Sequence, residues 1–147
     1  MAGLSPEDRE ALFDVLRRYV WCMDTGDIEG IVATFTKDGV IKDITGHRWD
    51  GPEAPRQFAS HFILRPNRPA AQHWVQHMFV EEGEAGACRV TAYWFTAVRD
   101  PADDRRFVSN LGRYIDTSVK VDGRWLIKEK LIDPWNNETV EMAGKSG

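Results

Sequence analysis

Ala87-Cys88-Arg89-Val90-Thr91-Ala92-Tyr93-Trp94-Phe95-Thr96-Ala97-Val98 is dense in β-branched and aromatic residues and reads as one long strand. Three more runs of the same kind stand beside it in the chain, about Gln72 to Glu81, Arg106 to Val121 and Arg124 to Ile132. The breaks between them are Glu82-Gly83-Glu84, Asp100-Pro101-Ala102-Asp103-Asp104 and Asp122-Gly123, all of turn chemistry. Consecutive strands joined by such turns fold back on one another, so the C-terminal half predicts an antiparallel sheet.

The N-terminal half has a different period. Ser5-Pro6-Glu7-Asp8 is a helix start: Ser5 can accept from a free backbone N–H, Pro6 suits the first helical position, and two acids face the positive end of the dipole. A helix is expected from about Pro6 to Met23, with Leu12, Leu16, Tyr19 and Met23 forming one apolar stripe. Thr25-Gly26 ends it, and Asp27 caps a second short helix through about Phe35. Lys37-Asp38-Gly39 predicts a turn, followed by short strands at Val40 to Ile44 and Arg48 to Asp50 around Thr45-Gly46-His47. Gly51-Pro52 opens a third helix carrying Ala54, Phe58 and Phe62, which Arg65-Pro66-Asn67-Arg68-Pro69 breaks. Helices followed by hairpin-linked strands define an α+β domain, expected over residues 1–135, with residues 136–147 expected to fray as a tail.

Composition narrows the function. A chain of 147 residues, 42% hydrophobic, suits one domain with one core. Nineteen Lys and Arg against 23 Asp and Glu give a net charge of −4 with neither sign gathered into a block, which argues against nucleic-acid binding. The longest apolar run, Tyr19 to Met23, is too short to cross a bilayer, and the N-terminus lacks the pattern of a signal peptide. Two cysteines, Cys22 and Cys88, without CxxC spacing support neither a disulfide framework nor a zinc site. His73 and His77 lie four residues apart on an expected strand, roughly 13 Å, too far for one metal ion. The expectation is a cytoplasmic protein that uses no metal or cofactor.

Arg18-Tyr19-Val20-Trp21-Cys22-Met23-Asp24-Thr25-Gly26-Asp27, followed by Phe35-Thr36-Lys37-Asp38-Gly39-Val40, resembles the opening of the SnoaL-like group within the nuclear transport factor 2-like (NTF2-like) superfamily. Gly51-Pro52-Glu53, His73-Trp74-Val75-Gln76-His77, Gly112-Arg113-Tyr114 and Asp122-Gly123-Arg124-Trp125 then fall in the family's order, so the resemblance covers about residues 8 to 133. It implies a cone: a strongly curved mixed or antiparallel sheet wrapped round the N-terminal helices, with a pocket at the open end. It is nearest in pattern to dehydratases of the scytalone and bile-acid type. Bile-acid dehydratases, however, carry an acid where this chain has Thr96 and an arginine where it has Pro134.

Asp24 stands at the C-terminal end of the first helix, where the dipole disfavours a carboxylate, so it is either a turn cap or a pocket acid. Resemblance matches it to the acid that dehydratases of this superfamily pair with a strand histidine, here His73. Alternation along the strand puts His73, Val75 and His77 on one face. With Asp24 on one ring nitrogen, the other nitrogen of His73 can act as a general base, histidine being the side chain that ordinarily titrates nearest neutrality. The family also implies a role for Tyr19, whose phenol can polarise a carbonyl or assist a departing hydroxyl. Strand parity groups Ala92, Trp94 and Thr96, and likewise Asn110, Gly112 and Tyr114. Resemblance implies that the first of these sets faces the pocket, and Trp94, Asn110, Tyr114 and His77 are the expected substrate-binding residues. A steroid-isomerase oxyanion hole, a Tyr beside a protonated Asp, has no second pocket acid to build it.

The resulting expectation is a cofactor-independent lyase of the dehydratase type, acting on a small hydroxylated aromatic or polycyclic substrate. The same base serves an aldehyde-releasing C–C lyase or a double-bond isomerase. A binding or assembly subunit, such as the small subunit of a ring-hydroxylating dioxygenase, is the contrasting reading, and it expects His73 and Asp24 to be out of hydrogen-bond reach. The family implies a homodimer or higher homo-oligomer through the outer sheet face, where Trp74, Tyr93 and Phe95 have the parity to meet a partner.

Overall fold

In a computed structural model describing residues 3–136, three helices lie against one six-stranded sheet. The expected fraying of the tail concerns residues outside that range, apart from Asn136. Helix α1 spans Pro6–Thr25, α2 Ile28–Val32 and α3 Ala54–Ile63. The strands are β1 Phe35–Lys42, β2 Arg48–Trp49, β3 Ala70–Glu82, β4 Cys88–Arg99, β5 Arg106–Val121 and β6 Arg124–Pro134. Their order is β2-β1-β6-β5-β4-β3; only the β1–β6 pair is parallel, so the sheet is mixed.

The ends of α1 form as their residues dictate. Ser5 Oγ accepts from the Asp8 N–H at 3.0 Å, and Gly26 adopts the left-handed conformation (φ 77°) that a helix C-terminus favours. Asp8 ties that first turn to the β5–β6 hairpin, accepting from Trp125 Nε1 at 2.7 Å and Lys120 Nζ at 2.9 Å. Leu12, Leu16, Tyr19, Val20 and Met23 are buried against the sheet, as their helical spacing requires.

Two sequence expectations give way here. The second helix ends at Val32, not Phe35, because Phe35 already pairs with Ile127 of β6. Lys37-Asp38-Gly39 is not a turn between elements but part of β1, where the register shifts between Phe35 and Val40. A Cβ at Gly39 would be crowded there, 3.0 Å from the Phe35 ring and 3.1 Å from the Thr36 carbonyl oxygen. The true turn follows β1 and is organised by Asp43, whose carboxylate accepts from Thr45 N, Thr45 Oγ1, His47 N and Trp49 Nε1 at 2.6–3.2 Å. Burial raises the pKa of Asp43, but those four donors outweigh it and hold the carboxyl below its ordinary value.

Candidate active site

A cavity of about 350 Å³ opens between α1, α3 and the inner face of the sheet. His73, Tyr19, Tyr114, Trp94, Asn110 and Thr96 all line it. Five of these are expected site residues, and the sixth, Thr96, shares the inward parity of Trp94.

Asp24 sits behind His73 rather than on the cavity wall. Its Oδ1 accepts from His73 Nδ1 at 2.6 Å, and both carboxylate oxygens also take the His73 backbone N–H, at 3.1 and 3.0 Å. Two contacts to one residue fix both the strand position and the ring. An ionised carboxylate on Nδ1 places the proton there, so Nε2 carries the lone pair. The two side chains are about four-fifths buried, and burial strengthens the coupling. Helix α1 remains regular through Thr25, so Tyr19 and Asp24 reach the site from different faces, Tyr19 onto the cavity wall and Asp24 onto the histidine.

Tyr19 and Tyr114 meet edge to face, centroids 6.0 Å apart, and Trp94 stacks on Tyr114 at 5.4 Å. Burial pushes both phenols well above their ordinary pKa, with Asp116 adding to the shift in each, so both stay protonated and available as donors. Asn110 lines the same wall, at the bulge where the β4–β5 register shifts after Thr96.

His77 is a correction. It is exposed on the outer face of the sheet, its ring 5.5 Å from Tyr93, and does not share a face with His73. Its φ is +53° and the β3–β4 register shifts between Gln76 and Phe79. One extra residue in the strand reverses the alternation, so Met78 and Val80 turn inward after it. Trp74 and Tyr93 are 48% and 47% exposed on that outer face, and Trp74 lies parallel to Phe95 at 5.9 Å.

Three features of the site lie outside what the sequence predicts. Arg65 and Arg68 line the cavity mouth, and Arg68 donates to the Met23 carbonyl, answering the last turn of a helix that has no basic residue of its own. Asp116 and Lys130 form an ion pair inside the core, Nζ standing 2.9 and 3.0 Å from the two carboxylate oxygens. Lys130 Nζ also lies 4.1 and 4.0 Å from the ring centroids of Tyr19 and Tyr114. Among the described residues no three His, Cys, Asp or Glu side chains gather as metal ligands, and no helix is long and apolar enough to cross a membrane.

Residues 5–130 match the SnoaL-like domain family, and the chain belongs to that family. Among solved structures it is similar to Aln2 from a Streptomyces species, with 26% identity, 95% of this chain and 98% of that one covered, and a TM-score of 0.79. It also resembles a Novosphingobium aromaticivorans protein provisionally assigned as a scytalone dehydratase (19% identity, 88% and 85% covered, TM-score 0.74). A third likeness is to an NTF2-like protein of cystatin-like fold from the same species (14% identity, 93% and 88% covered, TM-score 0.78). At those identities the last two show the fold alone. No curated protein matches the chain.

Proposed function

We propose that the protein is a cofactor-independent lyase in which His73 removes a proton from carbon of a small hydroxylated aromatic or polycyclic substrate. The observation that carries this reading is the 2.6 Å contact between His73 Nδ1 and Asp24 Oδ1, which leaves the second ring nitrogen as the base. The substrate's electron pair moves to a carbonyl oxygen, which Tyr19 and Tyr114 on the cavity wall would hydrogen-bond. The enolate then collapses and expels the hydroxyl, which takes the proton back from the His73 imidazolium and leaves as water, with Asp24 stabilising that imidazolium meanwhile. A scytalone dehydratase assignment among the structural likenesses is in keeping with that chemistry. The same dyad would serve aldehyde release or double-bond migration.

The test is incubation of the purified protein, without added metal, with hydroxylated naphthalenes, anthracenes and steroid-like ketones, followed by mass spectrometry. A product lighter by water supports dehydration, one lighter by formaldehyde places the chemistry in C–C cleavage, and an isomer of equal mass indicates double-bond migration. No product across the panel sinks the lyase reading.

The aromatic outer face of β3 and β4 is the surface on which a second copy would sit. Trp74→Glu is then expected to convert a dimer to a monomer in light scattering without altering the circular dichroism. A wild type that is already monomeric at high concentration refutes the dimer.

A further inference from the structure

The described residues hold one fully buried ion pair, and it lies beneath the two tyrosines of the cavity. Lys130 is 0% exposed and Asp116 1%. Lys130 comes from β6 and Asp116 from β5, two strands that pair directly, Asp116 opposite Lys130. Taking both charges out of water costs more than filling the same space with Leu or Met, so the fold alone does not call for them. What distinguishes the position is what the ammonium touches. On one side it meets both oxygens of Asp116; on the others it rests near the ring centroids of Tyr19 and Tyr114. Both rings line the cavity with His73.

We infer that Lys130, held by Asp116 against the rings of Tyr19 and Tyr114, is a positioning residue that strengthens the two hydroxyls as donors to an oxyanion in the cavity. The inference rests on the proposed lyase reading for its role in turnover, though the binding property can be measured without turnover. A cation at a ring face stabilises electron density in that ring. When a phenol hydrogen-bonds to an anionic oxygen, part of the negative charge moves onto the phenol oxygen and its ring, and Lys130 lies where that charge spreads. Burial and the Asp116 carboxylate both keep the phenols weak acids; the ammonium at the ring faces works in the opposite sense. Dehydration and double-bond migration build an enolate by removing a proton from carbon, and aldehyde release builds one when the base takes the hydroxyl proton and the C–C bond breaks, so an oxyanion site serves all three reactions. No second acid in the cavity supplies it: Asp24 is spent on His73 and Asp43 on its own turn. Arg65 and Arg68 also line the cavity, and Lys130 adds positive charge from outside it, through the rings. Asp116 keeps the ammonium in place without contacting the cavity.

The test uses 2-naphthol, whose neutral and ionised forms absorb at different wavelengths, titrated with pH in the presence of the protein. The background is His73→Ala, so that no imidazolium assists the anion. The inference expects bound naphthol to ionise at lower pH than free naphthol. In the added double variant Lys130→Met/Asp116→Leu the preference for naphtholate over naphthol should fall about tenfold, the size of a desolvated cation–ring interaction. Affinity for the neutral form should change little. Tyr19→Phe/Tyr114→Phe keeps the rings on Lys130 but removes the hydroxyls, and it should lose the preference as well, which covers the case that the first double variant does not fold. Three results overturn the inference: no preference for the anion in the starting protein, an unchanged preference in either double variant with native circular dichroism, or equal loss of affinity for both forms, the mark of a purely structural pair. Failure of the lyase reading shows separately, as absence of turnover with the naphtholate preference intact.

Discussion

His73→Gln is expected to lower turnover by about 10²–10⁴-fold while the protein keeps its fold, the range that removal of a positioned general base ordinarily costs. The argument is geometric. Neutral imidazole has one donor and one acceptor nitrogen, and Asp24 claims the donor at Nδ1. Glutamine retains the size and polarity of the side chain but has no nitrogen that can take a proton at neutral pH. Asp24→Asn should approach the same loss by another route. An amide at that position can donate as well as accept, so it permits the tautomer with its proton on Nε2, and it offers no charge to the imidazolium formed during the reaction. Because Asp24 also accepts the His73 backbone N–H, Asp24→Ala would mix catalytic loss with displacement of the strand; Asn is the cleaner substitution. Steady-state kcat and kcat/KM with any substrate found in the panel, alongside circular dichroism, check both variants. Turnover that survives both substitutions removes His73 as the base.

Much of this site is legible in the chain because inward-facing residues obey simple periods. Leu12, Leu16 and Tyr19 sit at helical spacing and are all buried, while Ala92, Trp94 and Thr96 alternate inward along β4 as a regular strand requires. Asp24 is conspicuous for a physical reason, a carboxylate at the wrong end of a helix dipole, and its partner proves to be the histidine on the facing strand. Parity fails at His77 because it counts residues and a bulge adds one; nothing in Gln76-His77-Met78 marks the left-handed backbone that His77 adopts. The first part of β1, before Val40, is hidden because Asp-Gly is a turn signal locally, and only pairing with β6, a partner at the far end of the chain, draws that segment into the sheet. Asp116 is within reach of the same periodicity. It shares parity with Tyr114, so extending the inward face by two residues buries a carboxylate and demands a cation opposite it. Which cation answers is a matter of strand register, and register is set by the tertiary structure.

Removing one member of the Asp116–Lys130 pair is expected to destabilise the protein far more than removing both. Asp116→Ala should cost about 3–5 kcal/mol in urea unfolding, and Lys130→Ala a similar amount, because each leaves a charge or an unpaired polar group in a core that excludes water. The double variant Lys130→Met/Asp116→Leu should be close to neutral, or more stable than wild type, since it exchanges two desolvated charges for packed apolar volume. The pH dependence of Asp116→Ala follows from the same physics. Burial already lowers the pKa of Lys130, with Asp116 opposing it, so loss of the carboxylate lowers it further. A lysine whose folded pKa lies below its unfolded one contributes stability that is present above the unfolded value and is lost as pH falls through the folded value. The deficit of Asp116→Ala should therefore be largest at and below neutral pH and shrink towards about pH 10, where the unfolded chain's lysine also begins to lose its proton. Unfolding curves at neutral pH and near pH 10 distinguish this from simple cavity formation, which carries no such dependence. A deficit that is small, or that stays constant across that range, would mean that the ammonium is not held charged beneath the two rings.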